Sequence, residues 1–105
     1  MANLRIEHAL GTMTLADAKE RLAAMGEYFS NKHGIQVTWD GDRAQVKGRY
    51  LVVTIDGSLS FAGGKAIFEG KDPGILWRGK ARDYIAQRIQ KYLDPGTPVA
   101  SLPRR

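Results

Sequence analysis

The chain of 105 residues contains no cysteine. Disulfides, zinc–thiolate sites and cysteine nucleophiles are therefore all excluded. Histidine is scarce as well, because only His8 and His33 are present, and neither is accompanied in the sequence by a nucleophile or a set of metal ligands. His33 stands at the predicted end of a helix, where a cation is favourable, so a structural role is the simpler interpretation.

Other motifs of catalytic and metal sites are also missing. Asp40 and Asp42 lack the remaining ligands and the closing glutamate of a calcium loop. Gly63-Gly64-Lys65 lacks the spaced glycine and the serine or threonine of a phosphate-binding loop, and no Gly-x-Ser-x-Gly element indicates a serine hydrolase. We therefore predict a protein that is not an enzyme and that uses no metal and no cofactor.

Long apolar runs are absent too. No stretch approaches the roughly 18 apolar residues that a transmembrane helix needs. Near the N-terminus, Arg5 and Glu7 place charges where a secretory signal would have its apolar segment. We expect a cytoplasmic protein without a transmembrane segment.

The residues that are present suit one small domain. Hydrophobic residues make up 43% of the sequence, which is enough for a single core at this length. We place the domain at residues 1–94. Residues 97–105 contain two prolines and little apolar bulk, so we expect residues 95–105 to form a flexible C-terminal tail.

The N-terminal third predicts a strand followed by a helix. Alternating apolar and charged residues at positions 4–7 indicate a half-buried strand. Thr14 and Asp17 resemble a capping box, which places the start of a helix near Leu15. Gly34 suits a left-handed cap at the end of that helix. Apolar residues at spacings of three and four form the stripe expected to face the core: Leu15, Ala18, Leu22, Met25 and Phe29.

Residues 35–68 show the alternation of short strands that are separated by tight turns. Four dipeptides predict the turns: Asp40-Gly41, Gly48-Arg49, Asp56-Gly57 and Gly63-Gly64. The β-branched and aromatic run at residues 50–55 is typical of a central strand. Because such short connections allow only antiparallel neighbours, this segment is predicted to be a meander.

A second helix is predicted from Gly79 to Leu93, before the helix-breaking Pro95-Gly96. Its apolar stripe comprises Ala81, Ile85, Ile89 and Tyr92. Neither helix is stable alone at this length, so each must pack on the sheet. The predicted fold class is α+β, in the order β-α-(antiparallel β-meander)-α, with a curved antiparallel sheet packed against two helices.

The net charge of +5 is concentrated at the C-terminal end. Residues 78–105 hold seven basic and two acidic side chains and so carry the entire net charge. Four residues of the second helix fall on one side of its apolar stripe: Lys80, Tyr84, Arg88 and Lys91. Cations interleaved with an aromatic ring can bind a polyanion such as a nucleic acid. They are also typical of a solubilising helix flank.

Four large aromatic residues have two interpretations: Trp39, Phe61, Phe68 and Trp77. They can line a pocket for an apolar ligand between sheet and helix, or they can fill the core of a small domain. Trp77 is a binding candidate because it ends the apolar cluster Ile75-Leu76-Trp77, whose conformation the pattern leaves open.

The order of these elements resembles the polyhydroxyalkanoic acid system protein family. The similarity covers residues 3–94 and rests on the Leu-Arg-Ile-Glu start, the capped helix, the segment 35–42, the meander and the helix that ends at residues 89–94. The resemblance implies a bacterial cytoplasmic protein that is linked to storage of polyhydroxyalkanoate, a hydrophobic polyester held in granules. It brings no catalytic residues, and the loop at 70–74 and the Pro/Arg tail depart from the usual pattern.

Two functional hypotheses follow. In the first, this is a non-enzymatic accessory protein of polymer storage that binds a polyhydroxyalkanoate granule, a granule protein or an apolar ligand. In the second, the basic C-terminal helix and tail bind a nucleic acid or another polyanion. The candidate binding residues are Trp77, Lys80, Tyr84, Arg88 and Lys91. Salt titration separates the two, because phosphate-dominated binding weakens steeply with salt and apolar adsorption does not. The most useful observation is whether an apolar cavity or groove lies between the sheet and the helices.

Overall fold

The structure is a computed structural model that describes residues 3–50 and 53–105. Its elements in chain order are β1 (Asn3–Ala9), α1 (Leu15–His33), β2 (Gln36–Asp40), β3 (Arg43–Tyr50), β4 (Val53–Ala62), β5 (Lys65–Lys71), α2 (Arg78–Tyr92) and a short 3-10 turn (Val99–Ser101). The five strands form one antiparallel sheet in the order β1-β5-β4-β3-β2. This arrangement confirms the predicted α+β class, with β2 to β5 as the meander.

The first helix begins and ends where the sequence predicts. The hydroxyl of Thr14 accepts a hydrogen bond of 3.1 Å from the backbone N–H of Asp17, which satisfies one of the free donors of the first turn. Gly34 closes the helix in the left-handed conformation, with φ of 70°. The predicted apolar stripe is buried except for Leu15, which is 43% exposed at the first helical position. The prediction that Leu15 faces the core is therefore wrong.

Two of the four predicted turns are confirmed. Gly41 and Asp42 connect β2 to β3, with Asp40 paired to Arg43. Gly63 and Gly64 connect β4 to β5, and both have positive φ, at 58° and 73°, as a type I′ hairpin turn requires.

The other two predicted turns are wrong. Gly48-Arg49 lies inside β3, and Asp56-Gly57 lies inside β4. Gly57 is paired with Val46 on one side and with Gly70 on the other. An Asp-Gly step is a local signal, and here pairing with both neighbouring strands decides the conformation instead.

The predicted strand at residues 50–55 is divided between two elements. Tyr50 ends β3 and Val53 begins β4, and the two are paired with each other in the antiparallel register. Residues 51 and 52, also part of that prediction, lie outside the described residues.

The two faces of the sheet differ sharply. The outer face carries exposed ion pairs between neighbouring strands, such as Arg5 with Glu69 at 3.2 Å and Lys65 with Glu7 at 3.0 Å. The inner face contributes apolar side chains to the core: Leu4, Ile6, Ala44, Val46, Leu59, Ala66 and Phe68. Alternation along antiparallel strands produces this division, so both helices pack on the inner face.

The helices rest near opposite edges of the sheet and touch one another. Helix α1 contacts β2 and helix α2 contacts β1, which are the two edge strands. Contacts between the helices run in opposite chain directions and pair Arg21 with Tyr92, Tyr28 with Arg88, and His33 with Tyr84. The helices are therefore antiparallel.

Arg21 joins the two helices. It is 5% exposed although it is charged, and its Nη1 donates to the carbonyl oxygens of Asp94 at 2.9 Å and Tyr92 at 3.3 Å. Its Nε also donates to the carboxylate of Asp17 at 3.1 Å. The cation thus satisfies carbonyls at the C-terminal end of α2, where positive charge is favourable.

The C-terminal segment, for which the composition predicts a flexible tail, contacts the domain. Leu102 is 4% exposed and belongs to the core. The hydroxyl of Tyr92 donates to the carbonyl of Pro103, and burial raises the pKa of this phenol. The amide of Asn31 donates to the carbonyl of Arg104 at 2.8 Å. Burial of Leu102 and the hydrogen bonds from Tyr92 and Asn31 hold the C-terminal segment against the domain, although this segment has little apolar bulk.

We predict that Leu22→Ala lowers the free energy of unfolding by about 2–5 kcal/mol, because Leu22 is fully buried in the core. Denaturant melts measure the loss. Leu15→Ala on the same helix is the matched control and should change stability by less than about 0.5 kcal/mol. Equal losses for the two variants would show that the assignment of the buried stripe is incorrect.

We predict that Gly57→Ala destabilises the fold by about 1–3 kcal/mol through overpacking. A Cβ at this position would lie 2.7 Å from the backbone oxygen of Glu69 and 2.9 Å from the Phe68 ring. Gly79→Ala is the control, because its Cβ would meet nothing within 4 Å, and it should stabilise α2 by up to about 1 kcal/mol. Thermal melts that ranked the two variants in the reverse order would contradict the packing described for β4.

Candidate functional site

An apolar cavity of about 330 Å³ lies between the sheet and the helices. Its walls come from α1, from the segment that follows α1, from the three central strands and from the first half of α2. The lining residues are Met25, Phe29, Ile35, Val46, Ile55, Leu59, Phe68, Trp77, Lys80, Ala81, Tyr84 and Ile85. Nearly all of them are apolar, so the interior can hold hydrocarbon but offers little to a polar ligand.

The cavity exists because the two helices meet along only part of their length. Helix α1 ends at His33, opposite Tyr84 in the second turn of α2. The first turn of α2, residues 78–81, extends past this contact, and Lys80 and Ala81 line the cavity. At the other end of α2, Ile89 and Tyr92 are fully buried. The helices are therefore closely packed at one end and leave space over the sheet at the other.

Two glycines shape the floor of the cavity. Gly57 and Gly70 are directly paired on β4 and β5, on the same face as Phe68. A Cβ at either position would approach the Phe68 ring to 2.9 or 3.2 Å. Because neither glycine has a side chain, the ring can lie across this pair of strands as part of the cavity wall. The Asp56-Gly57 dipeptide predicted a turn, whereas Gly57 lies inside β4, so this role of the glycine was not predicted.

Trp77 and Lys80 form the rim of the cavity. Lys80 is exposed and Trp77 is half-buried, and the ammonium of Lys80 lies 5.8 Å from the centre of the Trp77 ring. Of the described residues that line the cavity, Lys80 is the one that is exposed and the one that is charged. The cavity therefore reaches solvent beside a cation and an aromatic ring.

A cluster of aromatic and basic side chains forms the wall behind Tyr84. The Tyr84 hydroxyl lies 3.1 Å from Nε2 of His33. The guanidinium of Arg88 lies 5.2 Å from the centre of the Tyr84 ring and 4.9 Å from that of Tyr28. Arg88 therefore packs between two rings in cation–π contact.

His33 occupies the predicted place at the end of α1, but its charged form is disfavoured. Burial lowers its pKa, and the nearby positive charges of Lys32 and Arg88 lower it further. These effects outweigh the attraction of the helix end for a cation. The neutral imidazole is the form that this cluster favours.

The structure brings together three of the five candidate binding residues. Trp77, Lys80 and Tyr84 line the cavity, whereas Arg88 packs behind Tyr84 and Lys91 is exposed near the other end of α2. Lys80 and Lys91 stand about 16 Å apart along the helix axis. The two lysines of the predicted stripe therefore lie near opposite ends of α2.

The aromatic residues divide between the two roles that their composition allows. Phe68 and Trp77 line the cavity. Trp39 and Phe61 pack against the core instead, and the Trp39 ring lies 5.8 Å from the ammonium of Lys19. Val46, Ile55 and Ile85 also line the cavity. Of these, Ile85 belongs to the apolar stripe predicted for the second helix, and none was predicted to be a site residue.

The loop before α2 is the most exposed apolar part of the described chain. Ile75 is 82% exposed and Leu76 is 85% exposed, and both directly precede Trp77 at the rim. The loop is held by Asp72, which accepts from the N–H of Gly74 and pairs with Arg78 at 2.5 Å. Arg78 is the larger cause of the lowered pKa of the Asp72 carboxyl. Two apolar side chains are thus presented to solvent beside the cavity.

The described residues contain no group of three or more histidine, aspartate or glutamate side chains that could hold a metal ion. Neither helix in this part of the chain combines the length and apolar character that crossing a bilayer requires. The lining of the cavity itself is mainly apolar, with one cation at its rim.

The protein is a small two-layer α+β domain. Two helices pack on one face of an open antiparallel sheet, and an apolar cavity lies between the layers. The sequence profile of the family described as "Putative polyhydroxyalkanoic acid system protein" matches residues 3–95. The chain therefore belongs to this family, as its order of elements suggested. No curated protein and no solved structure gives a significant match.

We predict that protonation of His33 destabilises the protein. Because the folded-state pKa is lowered, the unfolded chain binds this proton more readily below about pH 6.5. Stability should fall as the pH drops through this value, until the folded-state pKa is reached. Thermal melts between about pH 8 and pH 5 measure the effect.

His33→Gln should remove this part of the pH dependence, whereas His8→Gln should retain it because His33 is unchanged. If the wild-type protein and His33→Gln lost stability in parallel over this range, the pH dependence would have to arise from other groups.

Proposed function

We propose that this protein is a non-enzymatic accessory protein of the polyhydroxyalkanoate system that binds an apolar ligand in the cavity between sheet and helices. The cavity of about 330 Å³ is the observation that carries the proposal. Its membership of the polyhydroxyalkanoic acid system family supplies the biological setting.

The size of the cavity supports a binding role. Protein interiors are close-packed and contain few voids larger than a water molecule. Pockets that bind small molecules are typically about 300–1,000 Å³ in volume, and this cavity falls at the lower end of that range. Chains of this length can bury their apolar residues without leaving such a space, so its presence favours an occupant.

The lining limits the ligand to hydrocarbon. Met25, Leu59 and Phe68 contribute apolar surface only, and the Tyr84 hydroxyl is already close to His33. Each Å² of apolar surface removed from water contributes about 25 cal/mol before the costs of association are subtracted. The alkyl parts of a polyhydroxyalkanoate chain, or of a smaller molecule derived from it, match this chemistry.

The exposed loop supports contact with an apolar phase. Ile75 and Leu76 project beside the rim of the cavity, where they add apolar contact surface next to the entrance. A protein that approaches a hydrophobic granule with this side would place the cavity against it. The loop and the cavity then act on the same partner.

Polyanion binding is less well supported. Arg88 is half-buried between two tyrosine rings, and Arg78 is paired with Asp72. Phosphate binding by nucleic-acid-binding proteins relies on several cations that can each release a counterion. The two lysines of α2, Lys80 and Lys91, are instead separated along the helix.

The test is a fluorescence titration with N-phenyl-1-naphthylamine, an uncharged apolar probe. We expect saturable binding with one site per chain. Ala81→Phe places a ring in the cavity and should weaken binding about tenfold, because excluding roughly 60 Å² of apolar contact costs about 1.5 kcal/mol. Ile55→Trp obstructs the same space from the sheet and should act in the same direction.

Ala16→Phe is the control, since Ala16 is exposed on α1 away from the cavity, and it should bind as the wild-type protein does. Sedimentation with polyhydroxyalkanoate particles then tests the partner, with Ile75→Ser/Leu76→Ser expected to reduce the bound fraction. Failure of the wild-type protein to bind the probe saturably would overturn the proposal.

A further inference from the structure

The cavity presents a single charged group to its occupant. Lys80 is exposed at the rim, and within the described chain no carboxylate lies at ion-pair distance from its ammonium. This ammonium lies 5.8 Å from the centre of the Trp77 ring. The first turn of α2 also contains no acidic residue. The entrance is thus positively charged, and the space behind it is apolar.

This arrangement is complementary to an amphiphile. An anionic head group at the rim would meet Lys80 while remaining partly hydrated, so it would not pay the full cost of burying a charge. The attached chain would extend past Ala81 and Ile85 towards Phe68 and Leu59, all of which line the cavity. Apolar contact would provide most of the affinity, and the ion pair would fix the orientation.

The number of available cations indicates the kind of head group. Two basic residues, Arg78 and Arg82, are equally near to Lys80 in the chain. Arg78 is paired with Asp72 at 2.5 Å, and the guanidinium of Arg82 donates to the backbone carbonyl of Arg5 at 3.3 Å and does not line the cavity. Lys80 alone balances the single charge of a carboxylate, whereas a phosphate monoester carries about 1.5 to 2 negative charges at pH 7. Hydrolysis of a polyester also yields chains that end in a carboxylate.

We propose that the cavity binds a linear acyl chain ending in a carboxylate, with the chain between helices and sheet and the carboxylate against Lys80. The proposal rests on the proposed function, because it names the class of ligand that the cavity takes. Lys80 is a binding residue in this arrangement and takes no part in catalysis.

The test compares decanoate with decan-1-ol, which has the same chain length and no charge. Calorimetric titration of each ligand, below its aggregation concentration, gives the affinities. Lys80→Met should weaken decanoate binding about three- to fivefold, as expected for an exposed ion pair. It should leave the affinity for decan-1-ol within about twofold, because the methionine keeps the apolar stem.

Lys80→Arg retains the charge and should retain decanoate binding, and Lys91→Met, on the same helix but away from the cavity, should change neither affinity. Thermal melts establish that all variants fold. If Lys80→Met changed neither affinity, or reduced both equally, the carboxylate assignment would be wrong while apolar binding still stood. If neither ligand bound the wild-type protein, the proposed function itself would fail.

Discussion

The placement of the second helix depends on one buried cation. Arg21 bonds to the carbonyl oxygens of Tyr92 and Asp94 and to the carboxylate of Asp17, so it links both helices through one guanidinium. A charge at 5% exposure is tolerated only when its donors are satisfied. The carbonyls at the end of α2 gain a partner from the same contact. Loss of this side chain would leave unpaired groups on both helices.

The part of the core around the Arg21 contacts is closely packed, whereas the part farther from them contains the cavity. Around these contacts, Tyr28 and Tyr92 pack with ring centres 6.4 Å apart, and Leu102 covers the same end. Away from them, α1 ends at His33, opposite the second turn of α2, and the first turn of α2 lies beside the cavity. The closely packed contact between the helices and the cavity therefore lie towards opposite ends of α2.

Much of the fold could be predicted from local signals, and the errors have a common cause. The caps at Thr14 and Gly34 and the turn at Gly63-Gly64 are properties of a few adjacent residues, so the sequence reveals them. Gly57 carries the same kind of signal, but its strand pairing is set by residues distant in the chain. Such tertiary pairing overrides a local preference.

The site was predictable only in part, for a related reason. Periodicity shows that Ile85 or Val46 faces inward, but it does not show whether the space between them is filled. Lys80 and Tyr84 were candidates through a basic stripe and Trp77 through an apolar cluster, and the structure unites the three around a cavity. Arg21 gave no signal at all, because a charged residue on a helix is ordinarily exposed.

The positions of the two tryptophans allow ligand binding to be followed by intrinsic fluorescence. Trp77 borders the cavity, whereas Trp39 lies on β2 beneath Lys19. Indole emission responds to the polarity around the ring, so an occupant that displaces water beside Trp77 alters the intrinsic fluorescence of the chain. Replacing Trp39 with phenylalanine would leave one emitter at the entrance, and occupancy could then be followed without any label.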